Sequence, residues 1–450
     1  QVSLDGLADM PLLMRLLVHT RITAPDLERL LTGARQRLLA HLSAVDRVVA
    51  LDPIVRLAVA IATQCWRNDY CWAETDEETA QVHALASRIR NGDDTPFDVL
   101  ALAMYAPVGS VLGDAQPGPV SAWPEAVTRL VSQQLALRTQ SQAAAAAVPQ
   151  LTAIDDATAG QWLEQDDDTP CPRWTALPAQ SARIPLAQFA RQSIAGTPAL
   201  RLDVAPGHVR ALHAACGTGQ HAIDMALRID GLQLLAIDTS GARLGVAATL
   251  AQRHDVDGIE FARADLLQLP ALGRQFDFIE SAGALHALET PEAGLAALVD
   301  CLAPQGLLRI ALCSRRGRQG VRQCRDWSQV QPMPATRAGI RALRQAILAL
   351  PPDDPRRDIT RLVEFYATRE CRDLLLHTED TGFDPPAVHA MLERHGLRPL
   401  GLEASDAVQQ AFARLMPDAR LDDFAAWDRF EDTHPRTFEQ AIVVWAQKLG

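Results

Sequence analysis

A glycine-rich turn followed by a spaced carboxylate is the feature of this sequence that points most directly to chemistry. Gly217 and Gly219 lie in the stretch ALHAACGTGQH (211–221), which has the pattern of a short strand, a turn and the start of a helix. Glycines let the backbone turn tightly and approach a ligand, and a helix N-terminus offers free N–H groups. The next apolar run, 234–237, ends in Asp238, which can accept hydrogen bonds from both hydroxyls of a ribose. The spacing therefore predicts a nucleotide-type site, with a purely structural turn as the alternative.

The elements that would position this turn follow in order along the chain. Short apolar strands are predicted at 261–265 and 276–280, the second running into the small residues 281–283. A turn at 302–306 precedes a further strand at 307–312, and the segment 291–302 has helical spacing. Strands and helices that alternate at these lengths predict a parallel sheet covered on both faces.

This run of motifs resembles the class I S-adenosylmethionine-dependent methyltransferases over most of residues 205–314. The segments CGTGQHA, LLAIDTS, ARADLLQLP, FDFIESAGALHAL and LAPQGLLRIAL are similar to the successive motifs of that family. GRQFDFIESAGALHAL, ECRDLLLHTED and TPCPRW are similar to a bacterial group often joined to tetratricopeptide or other helical segments. The resemblance implies a Rossmann-like doubly wound sheet with an antiparallel C-terminal strand pair, and S-adenosylmethionine as the cofactor, released as S-adenosylhomocysteine.

The resemblance also implies a set of cofactor-binding residues at the strand ends. They are Ala215, Cys216, Gly217, Gly219, Asp238, Thr239, Asp265, Leu266 and Ser281. The glycine turn would hold the methionine part, Asp238 the ribose diol, and Asp265 the adenine amino group beside Leu266. A helix N-cap is the alternative role for Asp265. The first motif departs from the family at two positions, since His213 replaces the usual acid and Ala215 a usual glycine.

Three residues are candidates for catalysis, namely His286, Glu280 and His377. Methyl transfer from a sulfonium is an in-line displacement, so the protein mainly orients the acceptor and excludes water. A base is needed where the acceptor begins protonated, and His286, after the fourth strand, titrates in the right range. A structural histidine at the strand end is the alternative for His286. Glu280 begins the segment expected to line the cleft, and His377 is either a base or a polar residue at a helix end.

Four residues outside the core are candidates for binding the substrate. Arg173 and Trp174 follow two prolines on an extended segment, where the tryptophan ring could face a cationic group. The alternative is that Trp174 pins the connector to the core. Arg372 and Asp373 either orient the substrate or pair with each other.

The sequence divides into five predicted segments. They are an N-terminal helical domain at 1–145, a connector at 146–200, the cofactor-binding core at 201–314, a helical insertion acting as a substrate cap at 315–395, and the last two strands with inserted helices at 396–450. The helical domain shows leucines at spacings of three and four, which is the stripe of a packed helix. A homodimer through this domain is left open.

Charge and composition exclude several classes. The 450 residues carry a net charge of −12, which argues against nucleic acid as a partner. The eight cysteines form no C-x-x-C pair, and no metal site is expected. No apolar run of membrane-spanning length and no signal peptide are visible, so a cytoplasmic location is expected, although the sequence begins at Gln1 without a methionine.

The function predicted from the sequence is S-adenosylmethionine-dependent methyl transfer onto a protein or peptide side chain. The preference for a polypeptide acceptor rests on the helical domain, because helical appendages often bind polypeptides. A small molecule of specialised metabolism is the alternative acceptor. A cofactor-binding scaffold without activity is the alternative function, suggested by His213 and Ala215.

Overall fold

The computed structural model describes ten stretches of the chain. These are residues 3–43, 52–93, 95–112, 123–154, 170–177, 182–196, 200, 207–330, 334–376 and 381–449. By its contacts the chain forms two compact units. Unit 1 comprises Gln1–Gln140, Gln165–Ala176 and Gln323–Leu376, and unit 2 comprises Ser141–Glu164, Leu177–Arg322 and His377–Gly450.

Helices account for unit 1 and flank the strands of unit 2. Their bounds are α1 Leu4–Ala8, α2 Pro11–His19, α3 Pro25–Ser43, α4 Asp52–Arg67, α5 Asp76–Asn91, α6 Pro96–Ala103, α7 Val108–Leu112, α8 Glu125–Ala147, α9 Leu186–Ser193, α10 Gln220–Arg228, α11 Gly241–Arg253, α12 Pro291–Asp300, α13 Gln319–Val330, α14 Arg337–Leu348, α15 Thr368–Leu376, α16 Pro385–Arg394, α17 Asp406–Leu415 and α18 Phe424–Thr433. Short 3₁₀ segments lie at Leu266–Leu272, Leu285–Ala287, Pro355–Arg361 and Val363–Tyr366.

Unit 1 holds its helices together with apolar packing and with buried ion pairs. Arg344 on α14 donates to both carboxylate oxygens of Glu28 on α3, at 3.1 and 2.9 Å, and both residues are buried. Asp69 is fully buried and accepts a hydrogen bond from Arg369 Nε at 3.0 Å. It also forms an ion pair with Arg173 at 3.3 Å. Each pair joins parts of the chain that are far apart in sequence, so residues 323–376 of the predicted substrate cap cluster with the N-terminal helices.

Unit 2 is built on one seven-stranded sheet in the order β3-β2-β1-β4-β5-β7-β6. The strands are β1 Val209–Ala214, β2 Leu232–Asp238, β3 Ile259–Arg263, β4 Phe276–Ala282, β5 Leu302–Leu312, β6 Leu397–Leu402 and β7 Ile442–Lys448. The first five run parallel, and β7 is antiparallel to both β5 and β6. The expectation of a Rossmann-like sheet with an antiparallel C-terminal pair and an N-terminal helical region is confirmed.

The turn expected at 302–306 differs from the structure. Residues 302–312 form one strand, and its pairing with β4 shifts register between Phe276 and Phe278. Gln305 takes a positive φ of 61° inside this irregularity. Over this shift β4 advances two residues and β5 advances five, from Leu302 to Leu307, so the proline and glycine of this segment mark a bulge of three extra residues within β5.

The two faces of the sheet differ in chemistry. Leu212, Ile279 and Leu308 belong to a large apolar core that includes residues of α12, α16 and α18. Because successive side chains of a strand point to opposite faces, the residues next to these, His213, Glu280 and Arg309, face the other way. Among the described residues, no helix combines the length and the apolar character that crossing a membrane requires.

Candidate functional site

The order of the strands reverses between β1 and β4, and ligands of open parallel sheets bind at the carboxyl ends of the strands beside such a point. The glycine-rich turn leaves β1 there. Ala215, Gly217 and Gly219 all take left-handed conformations, with φ values of 60°, 55° and 80°. An added Cβ at Gly219 would lie 2.5 Å from the Cβ of Ala247, whereas one at Gly217 would meet nothing within 4 Å. Gly219 is thus required for helix packing, and Gly217 faces open space that a ligand can enter.

Asp238, at the end of β2, holds this turn in place. One carboxylate oxygen accepts from the backbone N–H of Gly217 at 2.9 Å, and the other accepts from Ser240 N–H at 2.9 Å. Each oxygen of a carboxylate can accept about two hydrogen bonds, so both retain capacity for a further donor. Cys216 is buried, and its N–H pairs with the carbonyl of Ile237 at 2.8 Å. The geometry fits a ribose diol at Asp238 with the glycine turn beside it.

The residues expected around the adenine lie at the end of β3. Asp265 caps the 3₁₀ segment Leu266–Leu272 by accepting from Leu267 N–H at 2.9 Å, so the N-cap alternative is realised in the structure. Its second carboxylate oxygen still has the capacity to accept from an amino group. Leu266 is buried, and the carbonyl of Thr239 accepts from Arg263 at 3.2 Å.

Three polar residues share one register across β1, β4 and β5. His213 pairs with Glu280, and Glu280 pairs with Arg309. Arg309 donates to the Glu280 carboxylate, and Glu403 accepts from Arg309 at 2.8 and 2.9 Å. His221, in the first turn of α10, contacts the same Glu280 oxygen through Nε2. The face of the sheet opposite the apolar core therefore carries a buried polar group at the strand ends.

Burial and charge act in opposite directions on these groups. Burial alone would raise the pKa of Glu280, but His221 and Arg309 outweigh it and hold that pKa below its usual range. Burial likewise opposes protonation of His221, but the Glu280 carboxylate outweighs it and raises the pKa of His221. Burial dominates at His213 and lowers its pKa to about 4, so this imidazole is neutral at physiological pH.

The remaining candidates at the strand ends lie after Glu280. Ser281 is buried at the end of β4, and Gly283 follows with a φ of 81° and open space above it. His286 lies in the 3₁₀ turn Leu285–Ala287, is partly exposed, and its carbonyl accepts from Thr381 N–H at 3.2 Å. The turn thus brings His286 to the same edge of the sheet as Ser281.

The substrate-binding candidates lie in unit 1. Arg173 is buried, donates to the carbonyl of Trp66 at 2.9 Å and pairs with Asp69. Trp174 is also buried. Arg372 and Asp373 pair with each other at 2.9 Å, which realises the alternative expected from the sequence. His377 lies outside the described residues.

Sequence reasoning missed His221, Arg309 and Glu403. A signal was available for Arg309, because a single charged residue interrupts the apolar strand LLRIAL (307–312). His221 lies inside the first motif, two residues after the last glycine, where the motif itself assigns a role only to the backbone.

Comparison with known proteins bears on the core of unit 2. Residues 211–306 match a family model described as "Methyltransferase domain". A Synechococcus protein, the uncharacterized protein syc1184_c, is 32% identical over 210 residues, which cover 45% of this chain and 50% of that protein. The chain thus spans about half the length of this curated relative.

The solved structures that resemble this chain have low sequence identity to it. PKMT2 from Rickettsia typhi in complex with AdoHcy is 14% identical, covers 60% of this chain and 55% of that one, and has a TM-score of 0.45. ChlM from Synechocystis, a magnesium protoporphyrin IX methyltransferase with bound SAH, is 14% identical, covers 54% and 75%, and has a TM-score of 0.31. The [4+2]-cyclase SpnF is 15% identical, covers 72% and 96%, and has a TM-score of 0.33.

The match of residues 211–306 to a methyltransferase model, on a sheet of Rossmann-like strand order, identifies this stretch as a methyltransferase domain.

Proposed function

We propose that this chain transfers a methyl group from S-adenosylmethionine to a side chain of a protein or peptide. The observation that carries the cofactor part is the position of Asp238 beside the left-handed glycine turn at the reversal of strand order. The fit of the site supports it, since Gly217 faces open space and both oxygens of Asp238 can accept further hydrogen bonds.

The cofactor supplies a methyl group activated on a sulfonium, and the residues of this chain orient it. Asp238 binds the ribose, Asp265 and Leu266 bind the adenine, and the turn at 215–219 binds the methionine part. The approach of the acceptor requires the reacting atoms to be aligned and water to be excluded, a proximity effect that contributes about 7–11 kcal/mol.

His286 is the base that we propose for an acceptor that begins protonated. It is partly exposed and follows β4, at the edge where Ser281 lies. Glu280, the other candidate in this strand, is fully buried and paired with His221 and Arg309. These contacts favour a role for Glu280 in ordering the strand ends over a role in moving protons.

A polypeptide acceptor is favoured by two features of the chain. Its net charge of −12 opposes a nucleic-acid backbone. Unit 1 is a compact helical unit of its own, and helical units joined to an enzyme domain commonly bind other polypeptides.

The acceptor class is tested by transfer of labelled methyl groups. Purified protein and S-adenosylmethionine with a tritiated methyl group are incubated with a cell extract that has been split into macromolecules and small molecules. We expect label in the macromolecular fraction that protease releases and nuclease does not. Label confined to the small-molecule fraction would show that the acceptor is a metabolite, and the methyltransferase activity itself would still stand. Tight binding of the cofactor without transfer to either fraction would favour the scaffold, for which His213 and the strained Ala215 are the structural basis.

A further inference from the structure

The buried polar group around Glu280 contains nitrogen and oxygen atoms that have no hydrogen-bond partner among the described residues. Both ring nitrogens of His213 and the Oε2 atom of Glu280 are buried and have no hydrogen-bond partner among the residues that the structure describes. Buried polar atoms in folded proteins are almost always paired, because an unpaired one is destabilising by about 1–3 kcal/mol. The imidazole of His213 and Oε2 of Glu280 therefore call for a partner that the described part of the chain does not provide.

Three side chains at this place are close enough to share a ligand. One ligand atom each from His213, His221 and Glu280 lies within 4.8 Å of the other two. The rings of His213 and His221 are 5.6 Å apart between centroids and nearly perpendicular. Ligands around a tetrahedral zinc ion are about 3.3 Å apart, given bonds of 2.0–2.1 Å. Small rotations of the two rings would therefore bring the three atoms to bonding distance.

We propose that His213, His221 and Glu280 bind one divalent transition-metal ion, with Zn²⁺ as the ion that two imidazoles and a carboxylate fit best. The three residues leave a fourth position for water, as open zinc sites do. The side chain of His221 is 41% exposed, which gives the ion a path to the two buried ligands. The sequence alone predicted no metal, because the ligands come from β1, α10 and β4 and share no recognisable spacing.

The neighbouring charges are compatible with a cation. Arg309 Nη1 lies 3.4 Å from His221 Nε2, so the His221 ring must turn from Arg309 to bind the ion, while the guanidinium stays bound by both oxygens of Glu403. Arg309 contacts Oε1 of Glu280 and leaves Oε2 for the ion. A ligating carboxylate that is also hydrogen-bonded to a second residue is a common arrangement around metals. The negative charge of Glu280 then offsets part of the charge of the ion.

The position of the site gives it a consequence for the fold. His213 precedes the glycine turn and His221 follows it, so an ion bound to both would close the loop 214–220. An ion that binds only the folded chain stabilises the folded state by mass action. The bound ion would thus hold the turn in the left-handed conformation that Ala215 disfavours. This proposal does not depend on methyl transfer, and its test contains no S-adenosylmethionine.

The experiment uses the full chain without an affinity tag, stripped of metal by a chelator and titrated calorimetrically with ZnCl₂. We expect one equivalent of Zn²⁺ to bind and the melting temperature to rise. His221→Ala and Glu280→Gln should each weaken binding at least about a hundred-fold. His389→Ala is the matched control, since His389 is a partly exposed histidine of unit 2 that pairs with Glu393 at 3.4 Å. It should leave binding unchanged.

Two outcomes would overturn the proposal. One is the absence of Zn²⁺ binding by the folded wild-type chain. The other is binding that persists in both His221→Ala and Glu280→Gln. Circular dichroism establishes whether each variant folds. If Glu280→Gln does not fold, His221→Ala alone decides the test, because a partly exposed side chain can be replaced with less effect on folding. Co²⁺ gives a second readout, because a four-coordinate site produces visible absorption bands that His221→Ala should abolish.

Discussion

Replacing Asp238 by alanine separates the structural from the ligand-binding role of this carboxylate. The change removes two hydrogen bonds of 2.9 Å, from Gly217 N–H and Ser240 N–H. Hydrogen bonds to a charged group contribute about 1.5–3 kcal/mol each. Both donors lie in partly exposed residues where water can replace the lost acceptor, so the lower end applies and we expect a loss of about 3 kcal/mol. At 2–4 °C per kcal/mol for a unit of this size, the melting temperature should fall by about 6–12 °C.

The same variant should also lose affinity for the cofactor. A ribose diol donates to the carboxylate, and the loss of a charged acceptor corresponds to a ten- to hundred-fold weaker dissociation constant, about 1.5–3 kcal/mol. Calorimetric titration with S-adenosylhomocysteine below the melting temperature of the variant measures this effect. Differential scanning calorimetry measures the stability effect separately.

Asp277→Ala is the matched control for this variant. Asp277 also accepts a backbone N–H of β1, that of Arg210 at 3.0 Å, but at the opposite end of the sheet. The side chain of Asp277 is only 14% exposed, so loss of this hydrogen bond should be destabilising by about 1.5–3 kcal/mol, and it should leave cofactor affinity unchanged. A folded Asp238→Ala that binds S-adenosylhomocysteine like the wild type would refute the ribose assignment. Equal weakening by both variants would show a global effect instead.

Three further predictions concern other parts of the chain. Ala215→Gly should stabilise the protein by about 0.5–1 kcal/mol, because relief of the left-handed alanine exceeds the entropy cost of glycine; a lower denaturant midpoint would contradict this. Asp69→Asn should destabilise unit 1 by about 3–5 kcal/mol, since it removes the negative charge that the buried Arg173 and Arg369 face, and a loss under 1 kcal/mol would contradict it. Burial would raise the pKa of Asp69, but the neighbouring arginines outweigh burial and lower that pKa. The ionised Asp69 therefore stabilises the protein at neutral pH, and this stabilisation is lost as the pH falls below about 4. The acid unfolding of Asp69→Asn should lack this pH-dependent loss. His286→Gln should lower kcat by about 10²–10⁴ without changing cofactor affinity, and full activity would remove the base assignment.

The parts of the fold that rest on local patterns could be predicted from the sequence. The strand, the glycine turn and the helix at 209–228 follow from apolar spacing and from glycines at positive φ. The residues that specify these elements are close in sequence. The antiparallel C-terminal strand pair came instead from the family resemblance, which two short apolar segments of the sequence fit.

The parts of the fold that depend on residues distant in sequence could not be predicted. The pair Glu28–Arg344 and the pair Asp69–Arg369 each join residues about three hundred positions apart, and nothing local identifies the partner. Sequence reasoning likewise took Glu280 as a residue of the cleft, because neither the register of β1, β4 and β5 nor the contacts of His221 are visible in a linear pattern. Those contacts are what place Glu280 in a buried polar group.

Formation of S-adenosylhomocysteine tests the central claim most directly. The purified chain is mixed with S-adenosylmethionine and the macromolecular fraction of a cell extract, and the product is quantified by mass spectrometry. A methyltransferase yields many equivalents of S-adenosylhomocysteine per protein molecule, and Asp238→Ala yields far fewer. Product no greater than that of the extract alone, from a wild-type chain that binds the cofactor, would contradict the proposed activity.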